Sequence, residues 1–428
     1  MLCQWIYKAA ERRERVTHAD LIKRLAHVGR YLQARAGYWR DWASVIEPLD
    51  PESTPSLPAE RLRDQFQQGM STRYEHILAD CDIQRHRWLE RISVGFEKAS
   101  AVIVHGASGQ GKSALAYRWL HTETPYSWRL QIKLVENRRE ALQIAATLSS
   151  HVQAVGAPVT IDVDVDPRDQ GWTLLVEELA RTPQIRVLVT VREEDWQRAT
   201  LSRSDVEFED ISLSLDRTEA QGIYDQLARP KTPGQFLSFD EAWVRFLGGK
   251  DGEGPLMEFV YLVTQSESLR DKLSAQVKRI RTEIHRGDGS IAVLRLLALV
   301  AFASALGGRL EVARLRKRLP EMDLGFVAEQ FEREYLVRSL EQGLLLDGLH
   351  PLRSRLLAEI ILCEESSFGV LGLAQECLDL IPDSDVEIFL LHLASRQAQA
   401  MPGMTAYLAG WQAPTWQAFG AVLRALLW

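Results

Sequence analysis

The chain has 428 residues, 46% of them hydrophobic and 25% charged, with a formal net charge of −7. That is the profile of a globular protein of two to four domains, and its acidic balance gives no reason to expect a nucleic-acid partner. Four scattered cysteines (Cys3, Cys81, Cys363, Cys377) make no CxxC or Cys/His cluster, which argues against structural zinc or a disulfide framework and suits a reducing cytosol. No apolar run approaches the ~18 residues of a membrane span, and the N-terminus carries Lys8, Glu11 and Arg12 where a secretory signal would be apolar. The expectation is a cytoplasmic protein with no membrane partner.

In chain order, residues 1–47 read as a helical segment, with Leu21, Leu25, Val28 and Leu32 spaced by three and four. Residues 48–58 read as a proline-rich linker, within "EPLDPESTPSLP". Residues 59–100 form a helical lead-in, "AERLRDQFQQGMSTRYEHILADC" followed by "DIQRHRWLERISVGF". Residues 101–229 alternate between strand and helix patterns. "SAVIVH" is an apolar strand, "WRLQIKLV" (Trp128 to Val135) alternates as a strand, "APVTIDVDVD" (Ala157 to Asp166) is β-branched and ends in carboxylates, and "QIRVLVTVR" (Gln184 to Arg192) and "EDISLSL" follow with helices between. Asp216 caps the next helix. This alternation predicts a parallel sheet wound on both faces. Residues 230–290 predict a small helical domain, 291–362 a further domain, and 363–428 the start of a helical region. The apolar ending "AFGAVLRALLW" suggests that the natural chain continues past Trp428.

Gly106 to Ser113, "GASGQGKS", fits the phosphate-binding pattern GxxxxGK[ST]. Gly106, Gly109 and Gly111 let successive N–H groups face one anion, and the following helix adds positive potential at its N-terminus. Lys112 can reach the β- and γ-phosphates of ATP, and the Ser113 hydroxyl can join the shell of Mg²⁺. The strand before and the helix after are the context such a loop requires. Asp162, Asp164 and Asp166 alternate along one strand and so share a face, where three like charges call for a cation. The reading assigns Asp162, with Ser113, to the Mg²⁺ shell and Asp164 to orienting the attacking water; a frame shifted to Asp164 and Asp166 stays open. A further strand, "WRLQIKLV", stands in the chain between the loop and the carboxylates, which is the mark of the additional-strand class of phosphate-loop NTPases. Thr190 and Arg192, at the tip of the next strand, can sense the γ-phosphate. Lys112, Asp162, Asp164 and Arg192 are thus the candidate catalytic residues.

With these pieces placed, about two thirds of the chain, Asp82 to Ile361, resembles the signal-transduction ATPases with numerous domains (the STAND class, with its NACHT and apoptotic-ATPase groups). "DIQR" stands where that family has an hxGR-like segment beside the adenine, although Gln84 replaces the glycine; Arg85 is its arginine. "VLVTVREEDW" resembles the strand ending in Thr-x-Arg. "DGEGPLMEFVYLV" resembles the GxP segment, which puts Pro255 against the base. "LLLDGLHPLRSRLLAEI" resembles the winged-helix histidine segment, which implies that His350 contacts the β-phosphate of ADP. On the residues alone, His350 before Pro351 equally reads as a helix start.

The resemblance implies a helical lid and a winged-helix domain after the NTPase domain, ATP or ADP with Mg²⁺ as cofactors, and slow hydrolysis. It also implies a switch that opens on a protein trigger (in bacteria, a phage protein in antiviral defence) and then forms a homo-oligomer. Val163 between Asp162 and Asp164 departs from the family's adjacent acidic pair. The other readings are a constitutive ATP-driven machine of the AAA+ type and a nucleotide-regulated winged-helix DNA-binding regulator; "ARLRKRLP" (Ala313 to Pro320) is the basic stretch that serves the latter.

Overall fold

A computed structural model describes residues 2–13, 45–51, 57–124, 128–155, 158–201, 206–227, 238–248, 254–265, 267–287, 289–365 and 367–427, with the short pieces 15–17, 20, 42 and 54. Leu21, Leu25, Val28 and Leu32, Cys3 as a side chain, and Gly252 with Glu253 of the GxP segment lie outside the described residues. The chain divides into two compact units. One comprises Met1–Leu62 and Thr72–Ser214, the other Arg63–Ser71 and Leu215–Trp428.

The first unit holds a six-stranded sheet of β1 (Ile46–Pro48), β2 (Ala101–Gly106), β3 (Trp128–Ile132), β4 (Val159–Asp164), β5 (Ile185–Arg192) and β6 (Phe208–Ser212). Their spatial order is β1-β3-β4-β5-β2-β6. All neighbours are parallel except β1, which pairs antiparallel with β3. Residues 46–48 are therefore a strand, where the sequence suggests the end of a helix and the start of a linker. Pro48 is tolerated because β1 is an edge, where its missing donor costs no ladder bond.

Period-two alternation buries both faces of the sheet. From β2, Ala101 and Ile103 join one core with Ile161 and Val163 of β4, under the helices Arg138–Val155 and Trp172–Ala180. Val102 and Val104 face the other way, with Leu188 and Ile211, under the helices His86–Lys98 and Lys112–Glu123. The doubly wound expectation holds. One detail differs. β3 precedes β4 in the chain, but in space it lies beyond β4, and the strand that separates β2 from β4 is β5. The insertion of β5 is what gives this sheet the additional-strand order.

In the second unit the helix Ile291–Ala305 is buried along almost its whole length, which explains its nearly uninterrupted apolar sequence. It packs with β7 (Leu310–Glu311), β8 (Val337–Leu340) and β9 (Leu345–Gly348), an antiparallel sheet in the order β7-β9-β8. The helices Val312–Arg318 and Leu324–Arg333 lie between β7 and β8 in the chain, and the helix Pro351–Glu364 follows β9. Four helices between Val370 and Leu427 complete the unit. Among the described residues no helix is long and apolar enough to cross a membrane.

One half-buried ring gives a test of the first unit's packing. His151 stacks on Trp128 at the start of β3, with ring centroids 4.4 Å apart, and burial lowers its imidazole to about 4. An unfolded chain takes up this proton below about pH 6.5, the folded one only near pH 4, so the ring's contribution to stability is present above pH 6.5 and is lost as pH falls. His151→Phe keeps a stacking ring and removes the titration. Across pH 6.5 to 4 the wild type is expected to lose urea stability relative to His151→Phe, by less than the ~1.4 kcal/mol per pH unit of a fully shielded group because the ring is partly open to water. Taking the difference cancels the carboxyls that burial raises, which act with the opposite sign. A difference that does not change with pH contradicts the burial of a neutral ring.

Candidate functional site

The loop leaves β2 at the C-terminal end of the parallel sheet, where ligands of open α/β folds bind. Gly106 passes so close to β6 that a Cβ there would stand 2.6 Å from the Leu213 carbonyl oxygen. Gly111 turns into the helix Lys112–Glu123 with φ of 77°, a left-handed conformation that L side chains avoid. The Lys112 Nζ donates to the Gly106 and Ala107 carbonyls at 2.8 and 3.0 Å, folded back on its own loop. Burial, with repulsion from Arg192, lowers this ammonium to about 8, against the opposing pull of Asp164. Arg192, last residue of β5, has a buried Nη1 without a hydrogen-bond partner. Two cations with unspent donors beside a turn of backbone N–H groups fit a polyanion.

The carboxylates lie one pair further along the strand than the sequence assignment. Asp164 stands against the loop: both its oxygens are 3.4 Å from the Ser113 Oγ, and Oδ1 accepts a bond of 2.7 Å from the Thr190 hydroxyl. Burial raises its carboxyl, while Thr190 and Lys112 draw it down. Asp162 is fully buried deeper in the sheet, with both oxygens lacking a hydrogen-bond partner. Burial and then the charge of Asp164 push its carboxyl well above the ordinary range; it lies under the site and is not the partner of Ser113, whose Oγ faces Asp164. Asp166 lies beyond the strand and is spent on a bidentate pair with Arg168, two bonds of 2.6 Å. Burial alone would raise Asp166, but that guanidinium holds it below the usual carboxylate range. Shared facing is correct for β4; depth separates the three.

Thr190 orients Asp164, a link that spacing does not reveal, since it depends on the β4–β5 register that sets Asp164 opposite Thr190. Arg85 is also here: its guanidinium reaches the Gln110 carbonyl of the loop at 2.7 Å and the Ser214 carbonyl at 3.1 Å. Three partners went unnoticed in the sequence. Tyr117 accepts from Gln131 Nε2 at 2.6 Å beneath the loop helix, Arg118 binds Asp80 and Asp82, and His105 Nδ1 lies 2.7 Å from Glu193 Oε2. Asp82 and Glu193 fall within the segments "DIQR" and "VLVTVREEDW", but only tertiary contact identifies these pairings. Pro255 and His350 belong to the second unit. Pro255 precedes the helix Leu256–Gln265, and His350 caps the helix Pro351–Glu364, its Nδ1 accepting from the Leu352 N–H at 3.2 Å. The site assembled within the first unit does not include them.

Among the described residues no three His, Cys, Asp or Glu side chains converge as a metal cluster. Ser113 and Asp164, whose oxygens face each other, are the groups of the loop that would hold a Mg²⁺ ion accompanying a nucleotide's phosphates.

No family model matches the chain, and no curated protein matches it. Among solved structures it is similar to a Walker-type ATPase of Pyrococcus abyssi, at 11% identity over 65% of this chain and 96% of that one, with a TM-score of 0.34. It is similar also to a signal transduction ATPase with numerous domains from Pyrococcus horikoshii, which carries a tetratricopeptide repeat sensor, at 13% identity over 74% of this chain, with a TM-score of 0.34. The match spans about half, 48%, of that protein. A Trip13 structure from Rhizobiales matches at 14% identity over 54% of this chain and 90% of its own, with a TM-score of 0.32. The strand order and the loop establish the fold here: an α/β phosphate-loop unit of the additional-strand type.

The carboxylate frame is open to direct test. Asp164→Asn is expected to lower the Mg²⁺-dependent part of ATP affinity by about tenfold or more, equivalent to about 1.4 kcal/mol, in calorimetric titrations with and without Mg²⁺. Asp162→Asn changes a buried group that does not face Ser113 and is expected to leave that part unchanged. The reverse pattern contradicts the frame.

Proposed function

We propose that the chain is an ATP- and ADP-binding switch of the STAND kind that hydrolyses ATP slowly. The observation that carries the nucleotide reading is the joint placement of Lys112, the unpartnered Arg192 Nη1 and the Asp164–Ser113 pair around a glycine turn. Bound ATP would lay its β- and γ-phosphates across the loop N–H groups, with Lys112 leaving the Gly106 and Ala107 carbonyls to meet them. Arg192 would meet the γ-phosphate, and Thr190 would keep Asp164 turned toward Ser113 and the cation.

Slow turnover follows from what β4 supplies. Activation of water calls for a second carboxylate beside the metal-holding one. Here the next residue is Val165, Asp166 is committed to Arg168, and Asp162 is buried below. The strand is equipped to hold a cation and poorly equipped to activate water, which favours a switch over a constitutive machine.

The second unit supports the rest of the reading. We take 291–362 as a winged helix, on the order helix, strand, helix, helix, hairpin from Ile291 to Gly348, and 230–290 as the lid before it. His350 opens the next helix, and because Nδ1 accepts a backbone N–H, a neutral ring carries its proton on Nε2. That N–H is the donor the ADP-bound closed form would use, with Pro255 against the base. A protein trigger, in a bacterium a phage component, would favour the open form, and the open chain would self-assemble. Nucleotide can bias that equilibrium only through different affinities for the two forms. A DNA-binding winged helix gains little from "ARLRKRLP": Arg314 is engaged by the Ile381 carbonyl and Asp383, and Arg318 by Glu376.

The test is the rate of ADP release. Removing one hydrogen bond to a charged group costs roughly 1.5–3 kcal/mol, so His350→Ala is expected to speed release of a fluorescent ADP analogue about ten- to hundredfold. Steady-state ATP turnover of the wild type is expected to stay below the order of 1 per second. Unchanged ADP release in a folded variant, or fast turnover without a partner, contradicts the switch.

A further inference from the structure

The segment Asp82 to Arg85 makes two ties to the nucleotide loop and its helix. Asp82 takes the Arg118 guanidinium from the helix Lys112–Glu123. Arg85 reaches the loop itself. Its backbone is fixed, because its carbonyl receives the Trp88 and Leu89 N–H groups at the start of a helix whose Trp88, Ile92 and Phe96 are core residues. Its side chain is 6% exposed and lies 5.6 Å from the Trp88 ring. From this seat the guanidinium donates through Nη1 to the Gln110 carbonyl and through Nη2 to the Ser214 carbonyl just beyond β6. Both acceptors are backbone, so the two bonds fasten one peptide of the loop to the edge of the sheet.

The peptide so fastened joins Gln110 to Gly111. In a planar trans peptide the C=O and the following N–H point in opposite directions, and there is no cis peptide among the described residues. With the Gln110 carbonyl drawn to Arg85, the Gly111 N–H is turned away from it. That N–H has no acceptor among the described residues. Glycine at 111 has little intrinsic preference for one peptide orientation, so the orientation must come from outside the loop.

We propose that Arg85 is a positioning residue of the phosphate loop: by holding the Gln110 carbonyl it aims the Gly111 N–H at the bound phosphate. It acts through the loop and does not read the base, which differs from the adenine-side role that the resemblance of "DIQR" implies. The inference rests on the nucleotide-site reading above.

Inorganic tripolyphosphate separates the two roles, since it carries the phosphates and lacks the base. Affinities of the full chain and of Arg85→Gln are measured with Mg²⁺ for ATP, GTP and tripolyphosphate, with thermal unfolding as the fold control. The expected result is a loss of about tenfold or more for all three, by the same factor, as a charge-assisted support is removed. Arg85→Lys, which keeps the charge but cannot span both carbonyls, is expected to fall between the two, and it carries the same comparison if Arg85→Gln does not fold. A loss confined to ATP, with tripolyphosphate unchanged, makes Arg85 a base-reading residue and overturns the proposal. Equal affinities for wild type and a folded variant overturn it as well. A wild type that binds neither ATP nor tripolyphosphate overturns the nucleotide reading itself.

Discussion

Lys112 and Arg192 repel one another at the C-terminal end of the sheet, and the fold nevertheless holds both there. Burial makes the arrangement costly, since neither charge has full access to water. The Lys112 Nζ finds temporary acceptors in the loop's own carbonyls, and one Arg192 nitrogen finds none. A polyanion resolves both deficits at once. The remaining features of the first unit follow as supports for that demand. β5 must run between β2 and β4 to bring Arg192 to the loop, Thr190 must hold Asp164, and Arg85 must keep the loop's peptides turned.

The sequence made the loop legible because its chemistry is local: glycines, a lysine and a serine at fixed spacing after an apolar strand. The sheet was legible for a similar reason, since alternation within "SAVIVH" and "VTIDVD" reports burial on both faces. The carboxylate frame was not. A period of two says that Asp162, Asp164 and Asp166 share a face, and says nothing of how far along β4 the loop helix reaches. That depth is set by the β4–β5 register and by packing of the helix Lys112–Glu123, both tertiary. β1 was hidden because three residues ending in proline carry no strand signal, and only pairing with β3 makes them one. Arg85 was visible as a motif residue, but its partners are backbone carbonyls 25 and 129 positions away, which no spacing rule encodes.

Hydrolysis and holding are separable duties, and β4 divides them unevenly. One carboxylate faces the loop, one is buried beneath it, and one is paired outside it. That division is the basis of the slow turnover proposed above. In the second unit, His350 has the helix-start role that its place before Pro351 suggests. Its Nδ1 serves the helix start, and that use leaves the ring proton on Nε2, where a phosphate oxygen could accept it. Capping through Nδ1 does not conflict with the phosphate contact proposed above for Nε2.

The account stands or falls on a retained adenine nucleotide. The full chain, purified without added nucleotide, is denatured in acid and the supernatant is resolved by ion-exchange chromatography. The prediction is about one adenine nucleotide per chain, chiefly ADP, and its absence from a folded Lys112→Ala variant that lacks the loop's cation. A folded wild type that carries no nucleotide, and that takes up neither ATP nor ADP in titration, would contradict the central claim.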